Sequence, residues 1–238
     1  MKAFLTLVLT LSSFCLSAQI NLLKKANDNV KNLIRTEASL SESDIKKGLS
    51  EALRKGSEYA VKNASQYNGF NTNALIRIPF PAEAENVKNS LSKIGLQAQI
   101  NSFEESMNHA AESASKEALS LLVKAVNGMT IKDAYSILKG ADNAATNYLK
   151  EQTHSDIYRS FKPVINTSMQ KHKVAQQWTT ISTRYNALPF TKDINPDLED
   201  YITNKAIDGL FVLLAKQEKE IRKNPLARTS DVLKKVFD

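Results

Sequence analysis

The sequence is poor in most of the residues that build small secreted scaffolds, metal sites and nucleotide folds. Cysteine occurs once, at Cys15, so no intrachain disulfide can form. Histidine occurs three times, as His109, His154 and His172. None lies at a recognised metal-ligand spacing from a second ligand, and no metal site is expected. Seven glycines and six prolines are too few for extended disorder away from the ends. No GxGxxG, P-loop, GxSxG or HExxH pattern occurs anywhere, so no cofactor is predicted and no local catalytic motif is available. Aromatics make up 7% of the chain. The basic residues give a net charge of +7 but are interleaved with acids. Nucleic-acid binding needs a clustered basic face with stacking aromatics, and neither is visible. What the charge leaves open is weak attraction to an anionic membrane surface.

What is abundant is helix-forming. Hydrophobic residues are 42% of the chain, and alanine, leucine, lysine and glutamate recur throughout. The N-terminus reads as a secretory signal: a minimal basic start at Lys2, an apolar stretch over 3–11, and a cleavage site after Ala18. This stretch is too short to span a bilayer comfortably. A lipoprotein anchor at Cys15 is disfavoured by the bulky Phe14 before it. The predicted organisation is therefore a signal peptide over 1–18, a leading amphipathic helix and linker over 19–39, and a helical domain over 40–238.

Within that domain, Ser41 opens a helix that runs to about residue 63, with Leu40 at the staple position. Gly48 and Gly56 lie near its apolar stripe and suggest close approach of another helix backbone. Residues 66–81 differ in kind. Pro79 and Pro81 exclude a regular central strand, so the segment is read as extended chain laid across the bundle, with at most a brief strand pairing. Arg77 within it should point to solvent or pair with a carboxylate. Helices follow over 82–94, 97–127, 131–138 (capped by Thr130) and 141–151. A helix over 155–171 should kink or break at Pro163, and another covers 173–187. A long helix over 195–223 is capped by Asn195, with Pro196 at its first position. It is apolar nearly all round between Ala206 and Ala215, so it reads as the buried rod of the bundle. It must stop before Pro225. A short tail helix, capped by Ser230, ends the chain. The fold class is all-α: a single-domain multi-helix bundle with one extended, proline-containing segment.

Candidate site residues are polar groups inside these apolar stripes. Asn108 and Glu112 share a helix face at four-residue spacing. Lys205 and Asp208 interrupt the central rod. Arg77, Arg222 and Arg228 join them as a candidate polar cluster, and Glu218 is among the further residues able to meet them in space. Two readings compete. Either the cluster is an interior network that fixes helix register, or it is a ligand-binding or catalytic cleft built on Asn108, Glu112, Asp208 and Arg222.

Several stretches carry a family resemblance: GLSEAL at 48–53, IRIPFP at 76–81, NHAAE at 108–112, ILKG at 137–140, KAIDGLF at 205–211, and the final run from Ile221 to Phe237. With these, the chain resembles the bacterial family catalogued as domain of unknown function 4197, from about residue 40 to the C-terminus. The resemblance implies an exported, helical, bacterial protein and supplies no catalytic residues. The expected function is non-enzymatic: a binding or scaffold protein of the bacterial envelope whose partner is a protein or an amphipathic ligand. The alternative is an enzyme or lipid-like ligand binder with a polar cleft between the two long helices.

Overall fold

The long C-terminal helix forms because Leu198, Ile202, Ala206, Ile207, Leu210, Leu213 and Leu214 put apolar surface around most of its circumference, and all of them are buried. In the computed structural model, which describes residues 41–189, 191, 194–228 and 231–237, this helix runs Leu198–Lys223. The described residues form nine α-helices and no strand. In chain order they are α1 (Glu42–Ser65), α2 (Glu85–Lys93), α3 (Gln97–Ser115), α4 (Ala118–Gly128), α5 (Ile131–Lys139), α6 (Ala144–Lys171), α7 (Val174–Asn186), α8 (Leu198–Lys223) and α9 (Asp231–Phe237). Short 3-10 turns precede α2 and follow α8. The expected signal peptide, leading helix, Leu40 staple and Ser230 cap lie outside the described residues.

Helix α8 packs against α1, α3 and α6. Of the apolar residues in its middle stretch, Val212 is the exposed one, at 42%. Helix α3 also contacts α6, α7 and α2. The last helix, α9, returns to pack on α1.

Four local expectations are revised. The single helix expected over 97–127 is two, with a turn at Lys116 and Glu117. Ser113 and Ser115 hydroxyls donate to the carbonyls of His109 and Ala111 at 2.9 and 2.8 Å, a back-bonding that bends helices. The two helices expected over 141–171 are one. Leu149, Thr153, Ile157, Phe161 and Ile165 form an unbroken buried row at four-residue spacing, so burial overrides the polar stretch between them. Pro163 lies inside α6 with its ring exposed, where water can satisfy the carbonyl that loses its N–H partner. Helix α8 begins later than Asn195 and Pro196 suggest: Asp197 is the cap, its carboxylate accepting from Asp200 N at 2.9 Å. At Gly56 an added Cβ would meet only the Gln217 and Leu214 side chains, at 3.9 and 4.0 Å. That is ordinary contact, so no close backbone approach explains this glycine.

Other local readings hold. Thr130 caps α5 in a reciprocal capping box with Asp133, α8 ends at Asn224 before Pro225, and Gly95 takes the left-handed conformation (φ +84°) after α2.

Candidate functional site

Three buried polar residues stand on one face of α3 at four-residue spacing: Glu104 (3% exposed), Asn108 (0%) and Glu112 (4%). Side chains at i, i+4 and i+8 form a row along a helix, and this row receives the segment 66–81, which is not extended throughout as expected but a succession of turns over 66–76 followed by extended chain over 77–81. Asn108 behaves as a strand partner would. Its Oδ1 accepts from Ile78 N at 2.8 Å and its Nδ2 donates to Ile78 O at 2.9 Å and to Glu104 O at 2.7 Å. One turn away, Glu104 Oε1 accepts from Phe80 N at 3.2 Å and from Lys88 Nζ at 3.0 Å, while its Oε2 meets Arg77 Nη2 at 2.8 Å. Arg77 thus finds the carboxylate its sequence context called for. One turn the other way, Glu112 accepts three backbone N–H groups, from Asn68 (3.2 Å), Phe70 (3.0 Å) and Asn71 (3.2 Å), and the Nδ1 of His109 at 2.7 Å. The tight turn that presents these amides has Asn68 at φ 60°, a left-handed conformation that asparagine tolerates.

The other side of the segment is seated on α8. A Cβ at Gly209 would lie 2.6 Å from Phe70 Cε1 and 3.1 Å from Ile76 Cβ, so the ring of Phe70 requires a glycine beneath it. Tyr201 of α8 donates its hydroxyl to Pro79 O at 3.1 Å. Burial, then the carboxylates of Glu83 and Glu104, push the Tyr201 phenol up to about 12. Phe80 packs with Phe103 and with Trp178 of α7.

A second polar group joins helix ends. Glu218 accepts from Ala145 N (3.0 Å), Thr146 N (2.8 Å) and Thr146 Oγ1 (2.8 Å). It thereby places a carboxylate at the N-terminus of α6, where helix amides lack partners. Arg222 donates to Glu218 at 2.9 Å and to Ile137 O at 2.8 Å, at the C-terminus of α5. Arg228 donates to Ile221 O (3.1 Å) and Arg222 O (2.9 Å), at the C-terminus of α8. The ring of Phe237 lies 5.7 Å from the Arg222 guanidinium and 6.0 Å from that of Arg228.

The seven candidate residues therefore sort by place. Arg77, Asn108 and Glu112 hold the extended segment, and Arg222 and Arg228 hold helix ends. Lys205 and Asp208 are exposed on α8: Lys205 lies over the Tyr201 ring at 5.9 Å, and Asp208 pairs with Lys150 at 3.4 Å. They do not insert polarity into the core, because the helix turns that edge to solvent. Glu104 and Glu218 complete the two groups. Glu104 was legible as the residue one turn before Asn108, a signal visible only once the segment's need for backbone partners is considered.

Near the Glu112 end of the row lies an open hollow of about 220 Å³ lined by Tyr67, His109, Lys116, Lys171 and His172. Tyr67 stacks on His109 with centroids 4.9 Å apart and planes at 15°. His109 and His172, distant in sequence, lie 5.5 Å apart. Burial, then His109, then Lys171 hold the His172 imidazole below its usual range. An apolar hollow beneath Phe237, lined by Leu49, Leu53, Leu149, Leu214 and Ile221, encloses only about 20 Å³, room for one water. No group of three metal-ligating side chains occurs among the described residues. No described helix is long and apolar enough to cross a membrane.

Comparison with known proteins gives one match. The family model described as protein of unknown function (DUF4197) matches residues 39–238, and the chain belongs to that family. No curated protein and no solved structure matches the chain.

Proposed function

We propose that the protein is exported to the bacterial envelope and acts there by binding, without catalysing a reaction. One observation carries the second half of this reading. The buried polar atoms that a catalytic site would draw on are bonded to the protein's own backbone: Asn108 to Ile78, Glu112 to three amides, Glu218 and Arg222 to helix termini. A general base needs reach to a substrate proton, and Glu112 is enclosed by its four donors. The catalytic alternative also required Asp208 beside Asn108 and Glu112, whereas Asp208 is 55% exposed and faces Lys150. Export rests on the sequence of residues 1–18, a basic start, an apolar run and Ala18.

Fractionation of the native host tests the location. Protein whose N-terminus is Gln19, recovered with the envelope or periplasm, is the expected result, and cytoplasmic protein retaining Met1 sinks it. Substitution tests the role of the row. Asn108→Ala and Glu112→Ala should each cost about 3 kcal/mol, the scale of leaving buried amides without partners. In a domain of this size that is a melting temperature lower by about 6–12 °C. If either variant keeps its thermal stability while partner or ligand retention in native mass spectrometry is lost, the row is a site rather than a framework.

A further inference from the structure

The hollow beside Glu112 brings together positive or protonatable groups from the end of α6 and the turn after α3. Lys116 follows the end of α3 and Lys171 ends α6; both are exposed, and neither has an ion pair among the described residues. His172 lies between them, and its ring makes no hydrogen bond to any described residue. The acids that face the hollow are Glu112 and Glu105. Glu112 is turned to the 68–71 amides and to His109, which offset its charge. Glu105, half exposed, stands 3.5 Å from His109 Nε2. Tyr67, its inner face on His109, forms a wall.

We propose that this hollow binds a phosphate-class oxyanion, held by Lys116, Lys171 and His172. Three groups of positive or protonatable character on one hollow, two adjacent at the end of α6 and one in the turn after α3, suit a tetrahedral oxyanion better than a planar carboxylate, and lysine serves as a point charge for phosphate. Burial first, then repulsion from His109 and Lys171, disfavours the charged imidazole while Glu112 favours it, and a bound anion adds to the latter. Protonation of His172 favours binding as pH falls, while phosphate itself loses a charge over the same range, so the His172 titration rather than the sign of the affinity change reports the contact. The site gives a ligand class to the binding role proposed above and rests on it. Its test uses purified protein without any partner, so its failure is separable from failure of the envelope assignment.

The experiment follows the His172 ring proton by NMR in inorganic phosphate and in chloride of equal ionic strength, with calorimetry of phosphate binding at pH 6 and pH 8. The expected result is saturable binding at both pH values, with the His172 titration moved upward by phosphate and not by chloride. The Lys116→Ala/Lys171→Ala double variant, altered only at exposed positions, should bind at least about tenfold more weakly, and Lys124→Ala/Lys132→Ala should bind like the parent. Phosphatidylcholine vesicles with and without phosphatidic acid locate the source. Retention on the phosphatidic acid vesicles, lost in the Lys116/Lys171 variant, assigns a lipid headgroup; binding of inorganic phosphate alone assigns a soluble ligand. Absence of saturable binding, or equal affinity in the parent and the Lys116/Lys171 variant, overturns the proposal.

Discussion

At Gly209 and Gly56 the same residue type sits in two long helices for different reasons, and substitution separates them. Gly209→Ala drives a methyl to 2.6 Å from the fully buried Phe70 ring. Overpacking of this kind costs about 1–3 kcal/mol, more than the roughly 1 kcal/mol alanine returns in helix propensity. Gly56→Ala meets only ordinary contacts, so the propensity gain stands, and a melting temperature about 2–4 °C higher is expected from thermal circular dichroism. An unchanged or lower value for Gly56→Ala would mean that the wall of the small void beneath Phe237 cannot take a methyl group. Residue-scale roles were only partly legible in the sequence. The pairing of Asn108 with Glu112 on one face was visible in their spacing. That Gly209 carries a ring from residue 70, and that Asp208 beside it faces water, depends on which arc of an almost wholly apolar helix meets α3, and periodicity cannot choose an arc when nearly every position is apolar.

Helix termini are where the second polar group acts. Arg222 holds the C-terminal carbonyls of α5 and the carboxylate that holds the N-terminus of α6. Arg222→Ala leaves Glu218 largely buried without its cation, and breaking such a pair costs about 3 kcal/mol. Arg222→Lys keeps the charge but loses the planar fork, so it should recover less than the full stability in urea denaturation; full recovery would show that charge alone matters. At the α6–α7 junction, His172 is partly buried, and its folded pKa lies below the unfolded value, first through that burial and then through His109 and Lys171. Its contribution is complete above about pH 6.5 and is lost as pH falls through the lowered folded pKa. His172→Gln should flatten that part of the stability profile in phosphate-free buffer. Element boundaries were legible where a cap and a stop coincide, as at Thr130 and Pro225. They were misread where tertiary burial outvoted local signals: a row of buried residues carries α6 through Pro163, and serine back-bonding divides α3 from α4.

For the whole molecule, helix-rich composition and short connections sufficed to establish an all-α architecture, because apolar stripes of helical period have few other ways to be buried. The closure of α9 against α1 was not legible, since nothing in residues 231–237 names α1 as the partner. That closure is anchored by Phe237, which packs against Ala52 and Ile221 and over two arginines. Phe237→Ala should cost about 2–3 kcal/mol, toward the low end for an aromatic because the ring is only partly buried. Urea midpoints measured against the parent check it, and an unchanged midpoint would make α9 dispensable to the domain.

The stretch from Arg77 to Pro81 is extended chain, which in most proteins is a template for recruiting another strand. Here the template is blank. Ile76 and Arg77 donate to Asn73, Ile78 to Asn108 and Phe80 to Glu104, while Pro79 and Pro81 have no hydrogen to give. The carbonyls of Ile78, Pro79 and Pro81 are likewise engaged by Asn108, Tyr201 and Ala84. A segment with no unpaired donor offers no edge for intermolecular sheet growth. The prolines that bar this segment from a sheet therefore also protect a helical protein from aggregating through this strand-like stretch.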